Sequence, residues 1–212
     1  MTITIYTCDR EPSYLEDTLR TIPDGCSVEI IWQKEDVHQP ATDSRIKLVT
    51  PQPFKTIQHD TKLNYAMTLL YSTDGIIFED DVIVSKNFPE HLKKVKSLIQ
   101  TERYIIALYA YRNWKPKGRF ELVNYPFRSF FGLQAMMYDE FTKKDLARWL
   151  LDGLVLEDEP HDFAVRTYSK EYDVPLLALN YSLVQHIGYT SSGLGGLDFH
   201  HQSPNFVDDL FE

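Results

Sequence analysis

The segment Gly75–Val84 has the sequence GIIFEDDVIV, in which three consecutive carboxylates separate two short apolar runs. Apolar runs of this length predict two buried strands, Gly75–Phe78 and Val82–Val84. Such strands are typical of parallel sheets, where ligands bind at the carboxyl ends of the strands. The acidic triplet Glu79–Asp81 therefore follows a central strand, at the place where we expect the chemistry of the protein.

Strands and helices alternate before this segment. The pattern predicts a helix that Pro12 opens and a helix over Gln58–Tyr71, together with three strands: Thr2–Thr7, Val28–Trp32 and Ile46–Val49. The second helix has an apolar stripe at helical spacing, made of Leu63, Ala66, Met67 and Leu70. This alternation predicts an α/β protein with a mostly parallel central sheet.

The second half of the chain predicts a more mixed arrangement. Helices are predicted over Asn87–Gln100, Glu140–Leu151 and His161–Ser169. Strands are predicted within Arg103–Tyr111, Arg128–Tyr138, Leu176–Leu179 and Ser182–His186. Because no linker composition separates the two halves, we predict one Rossmann-like domain over residues 1–202, followed by a tail over residues 203–212.

The composition is that of an ordinary globular protein. The 212 residues are 43% hydrophobic and 25% charged, with a net charge of −9, which excludes a disordered or fibrous chain. No apolar run approaches the ~20 residues of a membrane span, and the first residues lack a signal-peptide pattern. Cys8 and Cys26 show no zinc-binding spacing and suit a reducing compartment. We therefore expect a cytoplasmic protein, located in the host cytoplasm if it is viral.

The acidic triplet has two interpretations. Burying ionised carboxylates costs several kcal/mol unless a cation or hydrogen-bond donors compensate. A divalent ion such as Mg²⁺ or Mn²⁺ would compensate, because hard cations prefer oxygen ligands. A solvated turn between two short strands would also explain the pattern.

Two later positions are candidates for the same site. His186 ends an apolar strand before the Gly/Ser-rich loop Gly188–Gly196, so its imidazole is either a metal ligand or a structural group. The glycines of that loop allow a close approach to a phosphate. Asp162 falls in the first turn of the helix that follows Pro160, where the helix dipole favours its ionised form. It is either a general base or an ordinary N-terminal helix carboxylate.

A series of segments resembles one known family. It begins with CDREPSYLEDTL after the first strand, continues with KLNYAMTLLYSTDGIIFEDDVIVSKNF, and ends with PHDF and SLVQHIGYTSSG. In this order the segments are similar to the N-acetylglucosaminyltransferase IV family of GT-A-fold glycosyltransferases, over about half of the chain. The resemblance implies a single GT-A-like domain and a nucleoside diphosphate sugar donor, with a UDP-sugar expected.

The resemblance also implies roles for individual residues. Asp81 and His186 correspond to ligands of Mn²⁺ or Mg²⁺, and Asp162 corresponds to the catalytic base. Glu79 and Asp80 would face the ribose and the sugar. The implied nucleotide contacts are Thr7, Arg10, Glu11, Lys62 and Asn64, with Ser191 and Ser192 beside the diphosphate.

The implied reaction is an inverting transfer. Asp162 would take the proton of the acceptor hydroxyl as that oxygen attacks the anomeric carbon from the face opposite the diphosphate, whose charge the metal neutralises. Members of the family also carry a membrane anchor and a stem and act on N-glycans in the Golgi. This sequence lacks those additions, so the resemblance supports the transfer chemistry better than the sugar or the acceptor.

Two segments bear on the acceptor. Arg112–Arg128 holds five basic residues and one acid among aromatic rings, which suits a nucleic acid backbone, a carbohydrate or a solvated hairpin. The tail NFVDDLFE looks like the peptides by which tailed-phage replication enzymes dock on their sliding clamp, here through Phe206–Glu212, or it packs on its own domain. The favoured acceptor is 5-hydroxymethylcytosine, flipped out of phage DNA, and the alternative is a glycan or saccharide.

Two other classes of protein fit parts of the pattern. A phosphatase-like or receiver-like α/β protein would use Mg²⁺ at the acidic triplet, although the first strand offers only Asp9 as its key aspartate. A non-catalytic nucleotide-binding module would keep the fold and dock through its tail. Activity toward nucleotide sugars distinguishes a glycosyltransferase from both.

Overall fold

A computed structural model of the chain describes residues 1–7, 13–32, 44–49, 57–109, 120–127, 130, 132–153, 159–188 and 202–206. The helices within these residues are α1 (Leu15–Thr21), α2 (Ile57–Tyr71), α3 (Phe88–Leu98), α4 (Glu140–Leu151) and α5 (His161–Glu171). The strands are β1 (Thr2–Thr7), β2 (Ser27–Trp32), β3 (Ile46–Val49), β4 (Ile76–Glu79), β5 (Val82–Val84), β6 (Ile105–Ala107), β7 (Leu122–Asn124), β8 (Ala135–Tyr138), β9 (Leu176–Leu179) and β10 (Val184–His186). None of the described helices combines the length and apolar character that crossing a membrane requires.

Eight of these strands form one central sheet in the order β3-β2-β1-β4-β8-β6-β9-β7. β1 is parallel to β2 and β4, and β2 is parallel to β3. β8 lies antiparallel between β4 and β6, β9 is parallel to β6, and β7 is antiparallel to β9. Among the described strands of this sheet, only β7 and β8 run antiparallel to the other six. The predicted α/β class, with a mostly parallel sheet and a mixed C-terminal part, is confirmed.

The strand directions bring several chain segments to one edge of the sheet, which we call the carboxyl edge. β1 and β4 end there, with Tyr6 paired to Glu79, and the antiparallel β8 begins there. β5 and β10 form a separate antiparallel ribbon with Val82 opposite His186. The acidic triplet Glu79–Asp81 thus connects the end of β4 to this ribbon.

Apolar side chains cover both faces of the central sheet. One cluster includes Tyr65 of α2 and Leu146 of α4, and the other includes Leu15 of α1 and Phe88 of α3. The three apolar residues of β4, Ile76–Phe78, are fully buried between these layers. Burial on both faces explains why β4 is a continuous apolar run rather than an alternating one.

The strands of the second half differ from the predictions. The strands predicted within Arg103–Tyr111 and Arg128–Tyr138 are shorter, since β6 and β8 have three and four residues. β7 was not predicted, because it lies inside the basic segment Arg112–Arg128 and is only half-buried or exposed. As the last strand of the sheet it needs no apolar run, because it has a partner on one side only.

Helix α2 buries a different face from the predicted one. Leu70 is exposed and Leu63 and Met67 are only half-buried, whereas Tyr65 and Leu69 are fully buried. α2 contacts β1, α4 and α5. The buried face is therefore set by three neighbours rather than by a single apolar stripe.

The first residues of the predicted tail pack on the domain. The N–H of Ser182 donates to the carbonyl of Asn205 at 3.1 Å. The side chain of Gln185 accepts from the N–H of Ser203 at 2.7 Å and donates to its carbonyl at 3.0 Å. Residues 203–206 are thus hydrogen-bonded to β10 and to the residues just before it. Residues 207–212 lie outside the described residues.

Candidate active site

The main candidate site lies where the chain leaves β4 for the ribbon. Oδ2 of Asp81 and Nε2 of His186 are 3.0 Å apart. Ligand atoms of Glu79, Asp81 and His186 all lie within 4.8 Å of one another, a spacing at which three groups can share one metal ion. The structure therefore brings the two expected metal ligands together and adds Glu79 to them.

The backbone of the ribbon positions these side chains. The carbonyl of Asp81 accepts a hydrogen bond from the N–H of Ile187 at 2.8 Å, and Val82 lies opposite His186. Asp81 is only 3% exposed and His186 only 8%. A buried carboxylate and a buried imidazole are thus held in contact by paired strands, which restricts their movement.

Gly188 allows the Asp81 carboxylate to lie against the backbone. A Cβ atom at position 188 would collide with Oδ2 of Asp81 and would lie 3.0 Å from Nε2 of His186. A larger residue would therefore displace one of the two groups. Carboxylate oxygens and an imidazole nitrogen this close together suit Mn²⁺ or Mg²⁺, so the residues present fit the expected metal.

Asp80 is fixed by β1 and α1. Its carboxylate accepts a hydrogen bond from the hydroxyl of Thr7, and its carbonyl accepts one from the hydroxyl of Thr18 at 2.8 Å. The oxygen of Thr18 in turn accepts from the N–H of Val82 at 3.0 Å. Two expected ligand-binding residues, Thr7 and Asp80, are therefore in direct contact at the carboxyl edge.

Glu79 is connected to α5 through Tyr6. The Tyr6 hydroxyl donates to Oε1 of Glu79 at 2.6 Å, and its oxygen lies 3.3 Å from Nε2 of His161. Burial raises the pKa of Tyr6 well above its usual value and the charge of Glu79 raises it further, so the hydroxyl stays protonated. Because its single proton goes to Glu79, His161 donates to the Tyr6 oxygen through Nε2.

Asp162, the predicted base, lies in the first turn of α5 and is 6% exposed. Its Oδ2 accepts the N–H of Gly132 at 3.0 Å, and its Oδ1 accepts the N–H of Phe163 at 2.9 Å. Each carboxylate oxygen has a second lone pair, so an acceptor hydroxyl can still bind. Gly132 has a φ of +79°, a conformation that favours glycine and brings the backbone before β8 to Asp162.

Lys62 and Asn64 are both buried in α2. The pKa of His161 is lowered, mainly by burial. The charge of Asp162 raises this pKa, and the charge of Lys62 lowers it further. The ring of Tyr65, one turn after Lys62 on α2, lies 5.8 Å from the ring of His161, so this side of α2 meets the first turn of α5. Asn64, two positions after Lys62, is rotated by about 200° around the helix and faces another direction. Of the two, Lys62 is therefore the one associated with the carboxyl edge.

The remaining expected contacts lie outside the described residues: Arg10, Glu11, Ser191 and Ser192. The sequence interpretation also missed three residues that contact the site. Tyr6 and His161 each stand next to an expected site residue, Thr7 or Asp162, and Gly132 lies inside the segment Arg128–Tyr138 that was predicted only as a strand.

Comparisons with known proteins concern the fold. The chain is similar to a crystal structure of S. aureus TarS (residues 1–349), with a TM-score of 0.50 and 10% identity over 88% of this chain and 60% of that one. It is also similar to the apo form of the glycosyltransferase GlyE of Streptococcus pneumoniae TIGR4, with a TM-score of 0.51 and 11% identity over 82% and 44% of the chains. No family model matches the sequence, and no curated protein matches it. The chain spans 60% or less of the two solved structures and shares with them a GT-A-like fold.

Proposed function

We propose that the chain is a metal-dependent inverting glycosyltransferase, of the hexosyl- or pentosyltransferase class, that uses a nucleoside diphosphate sugar. A UDP-sugar is the expected donor. The observation that carries the proposal is the contact of Asp81 with His186, next to Glu79, at the carboxyl edge. The fold supports it, because the glycosyltransferase GlyE has a similar one.

Asp81 and His186 would hold the metal, with Glu79 beside them. When bound, Mn²⁺ or Mg²⁺ supplies Lewis-acid neutralisation of the charge on the leaving diphosphate. The contribution of the chain is to hold His186 at the end of β10 in contact with Asp81, just before β5, where the absence of a side chain at Gly188 admits the carboxylate.

The donor would lie along the carboxyl edge. Thr7 and Asp80 are in contact there, and the positive charge of Lys62 near α5 suits an anionic diphosphate. Glu79 and Asp80 would contact the ribose and the sugar. The proposed set of donor contacts is completed by Arg10, Glu11, Ser191 and Ser192, and leaves out Asn64, which faces another direction on α2.

Asp162 would act as the general base. It takes the proton of the acceptor hydroxyl while that oxygen forms a bond to the anomeric carbon, and the bond from this carbon to the diphosphate oxygen breaks with its electron pair. The two backbone N–H groups that bind Asp162 orient its carboxylate for this step. A positioned general base typically contributes about 10²–10⁴-fold to the rate.

The favoured acceptor is the hydroxymethyl group of 5-hydroxymethylcytosine in phage DNA, which would be flipped out of the duplex to reach Asp162. The basic and aromatic segment Arg112–Arg128 supports this choice. Docking on a sliding clamp through Phe206–Glu212 would supply further affinity. Phe206 already forms a β-bridge with Ser182, so residues 207–212 would make most of the clamp contacts. The alternative acceptor is a glycan or saccharide.

One assay separates these possibilities. The full chain is incubated with Mn²⁺ and a panel of nucleotide sugars, with and without duplex DNA containing 5-hydroxymethylcytosine, and release of nucleoside diphosphate is measured. DNA-stimulated release supports the DNA acceptor, and release stimulated only by saccharides supports the alternative. No release from any donor would contradict the proposal. Nucleotide binding without turnover would then favour a binding module, and phosphomonoester hydrolysis a phosphatase.

A further inference from the structure

Arg166 of α5 carries a charge that none of the contacts described above uses. Its guanidinium carbon lies 4.3 Å from the ring centroid of Phe163 and 5.1 Å from that of Phe127. Its Nε is buried and has no hydrogen-bond partner, and the guanidinium makes no ion pair within the described part of the chain. A guanidinium in contact with two aromatic rings keeps its charge and its outer N–H donors for a ligand.

The position of Arg166 relates this cation to the proposed base. Arg166 follows Asp162 by four residues, about 6 Å along the same side of α5. An acid and an arginine at this spacing commonly pair, but here the Asp162 oxygens accept backbone N–H groups instead. The positive charge beside Asp162 is therefore not neutralised by that carboxylate.

Phe127 connects Arg166 to the basic segment Arg112–Arg128. The ring of Phe127 is 38% exposed and contacts Arg166, so the C-terminal end of the segment lies against α5, near Asp162. The segment holds five basic residues and one acid in a chain with a net charge of −9. Phe127 thus places one aromatic ring of this segment against Arg166, on the helix that also carries Asp162.

We infer that Arg166, whose guanidinium contacts the rings of Phe127 and Phe163, binds a backbone phosphate of a nucleic acid acceptor. The inference rests on the proposed function and names contacts of its acceptor. The planar guanidinium matches two phosphate oxygens at once, and the exposed ring of Phe127 offers a surface on which a base can stack. An uncharged saccharide would leave Arg166 without an anionic partner, and a polyol phosphate would leave Phe127 without a base.

The test measures DNA binding by the full chain without a donor. The probe is a labelled duplex with one 5-hydroxymethylcytosine, and its Kd is determined by fluorescence anisotropy at several salt concentrations. Arg166→Gln should raise the Kd about tenfold and lower the slope of log affinity against log salt by about 0.9, the contribution of one phosphate contact in B-DNA. Arg20→Gln is the matched control, because it removes an exposed arginine of α1 that pairs with Glu16 and Asp17, and it should change neither value.

Two further variants keep the test independent of folding effects. Arg166→Lys retains the charge, so it should preserve the salt slope while raising the Kd a few-fold. Phe127→Leu should weaken binding several-fold, because it removes both the surface on which a base can stack and one of the two rings that contact the guanidinium of Arg166.

Three results would overturn the inference. They are an equal effect of Arg166→Gln and Arg20→Gln, an unchanged salt slope in Arg166→Gln, and binding of a polyol phosphate polymer in place of DNA. Release of nucleoside diphosphate by the unmodified protein is measured in parallel. If no nucleoside diphosphate is released, the proposed function is rejected. If it is released but DNA binding is the same in the Arg166 variants as in the unmodified protein, this inference alone is rejected.

Discussion

The hydroxyl oxygen of Tyr6 lies 3.3 Å from Nε2 of His161, although the two residues are 155 positions apart in sequence. The same hydroxyl donates to Glu79. One side chain of β1 thereby connects the end of β4 to the first turn of α5, which carries Asp162. A fixed distance between a donor site and a base is what group transfer requires, since small displacements of reacting groups lower rates strongly.

Tyr6→Phe should lower kcat more than it raises KM for the donor. The change removes the hydrogen bond to Glu79 and leaves the Nε2–H of His161 without its acceptor, at a cost of about 1–3 kcal/mol in stability. Urea unfolding and steady-state kinetics measure the two effects. Tyr65→Phe is the control, because it removes a buried hydroxyl that bonds to Tyr138 instead. Equal losses of kcat in both variants would show that Tyr6 is no more than a packing residue.

Gly188→Ala should weaken metal binding severely while costing little stability. The new Cβ would push Oδ2 of Asp81 away from His186, whereas the backbone at position 188 does not have a positive φ. Gly25→Ala is the control with the opposite expectation, because Gly25 has a φ of +85° and open space around it. That variant should lose about 1–2 kcal/mol of stability and keep its metal affinity. Calorimetric Mn²⁺ titration and urea unfolding compare them, and wild-type Mn²⁺ affinity in Gly188→Ala would refute the expected geometry.

Asp162→Asn should reduce transfer by at least about 10²-fold while nucleotide affinity stays close to wild type. Asparagine keeps one oxygen that can accept the N–H of Gly132 and loses only the acceptor for the N–H of Phe163, so it disturbs the local structure less than alanine does. Asp162→Ala removes both acceptors and should also lose about 1–3 kcal/mol of stability. Radiolabelled sugar transfer and nucleotide titration give the two readouts. Loss of nucleotide binding in Asp162→Asn would assign the residue a structural role rather than that of a base.

Stability should fall as the pH decreases below 6.5, the ordinary pKa of histidine. Burial lowers the pKa of His161 in the folded protein. The charge of Asp162 raises this pKa, and the charge of Lys62 lowers it. The unfolded chain therefore binds the proton at a higher pH than the folded chain, so the free energy of unfolding decreases between 6.5 and the folded pKa. His161→Gln can still donate to Tyr6 but does not titrate, and urea unfolding should show a flatter pH profile for it. Identical pH profiles of stability for the unmodified protein and His161→Gln would contradict the assignment of this pH dependence to His161.

Much of the fold could be predicted because buried parallel strands leave a strong local signal. β1, which alternates threonines with apolar residues, and β4, a short apolar run, lie at the predicted positions. The face of α2 could not be predicted, because its burial depends on three neighbouring elements rather than on its own periodicity. β7 has only three residues, none of them fully buried, so its pairing with β9 leaves no pattern in the sequence.

The candidate site was predictable only in part. The triplet Glu79–Asp81 and His186 could be found because each ends or follows an apolar strand, and parallel strands end at a common edge. The link between Tyr6 and His161 could not, since a hydroxyl and an imidazole so distant in sequence meet only after folding. The close approach of the Asp81 carboxylate to Gly188 likewise forms only in the folded chain.

The proposed metal site at Asp81 and His186 is tested most directly by titrating Mn²⁺ into the full chain in the presence of UDP and measuring the heat of binding. The proposed metal site predicts one bound ion per chain. Asp81→Asn and His186→Gln should each weaken this binding by at least about tenfold, because each removes a direct ligand whose loss exceeds that of an outer-shell partner. Wild-type affinity in both variants, or no binding by the unmodified chain, would contradict the metal site and the sugar transfer proposed from it.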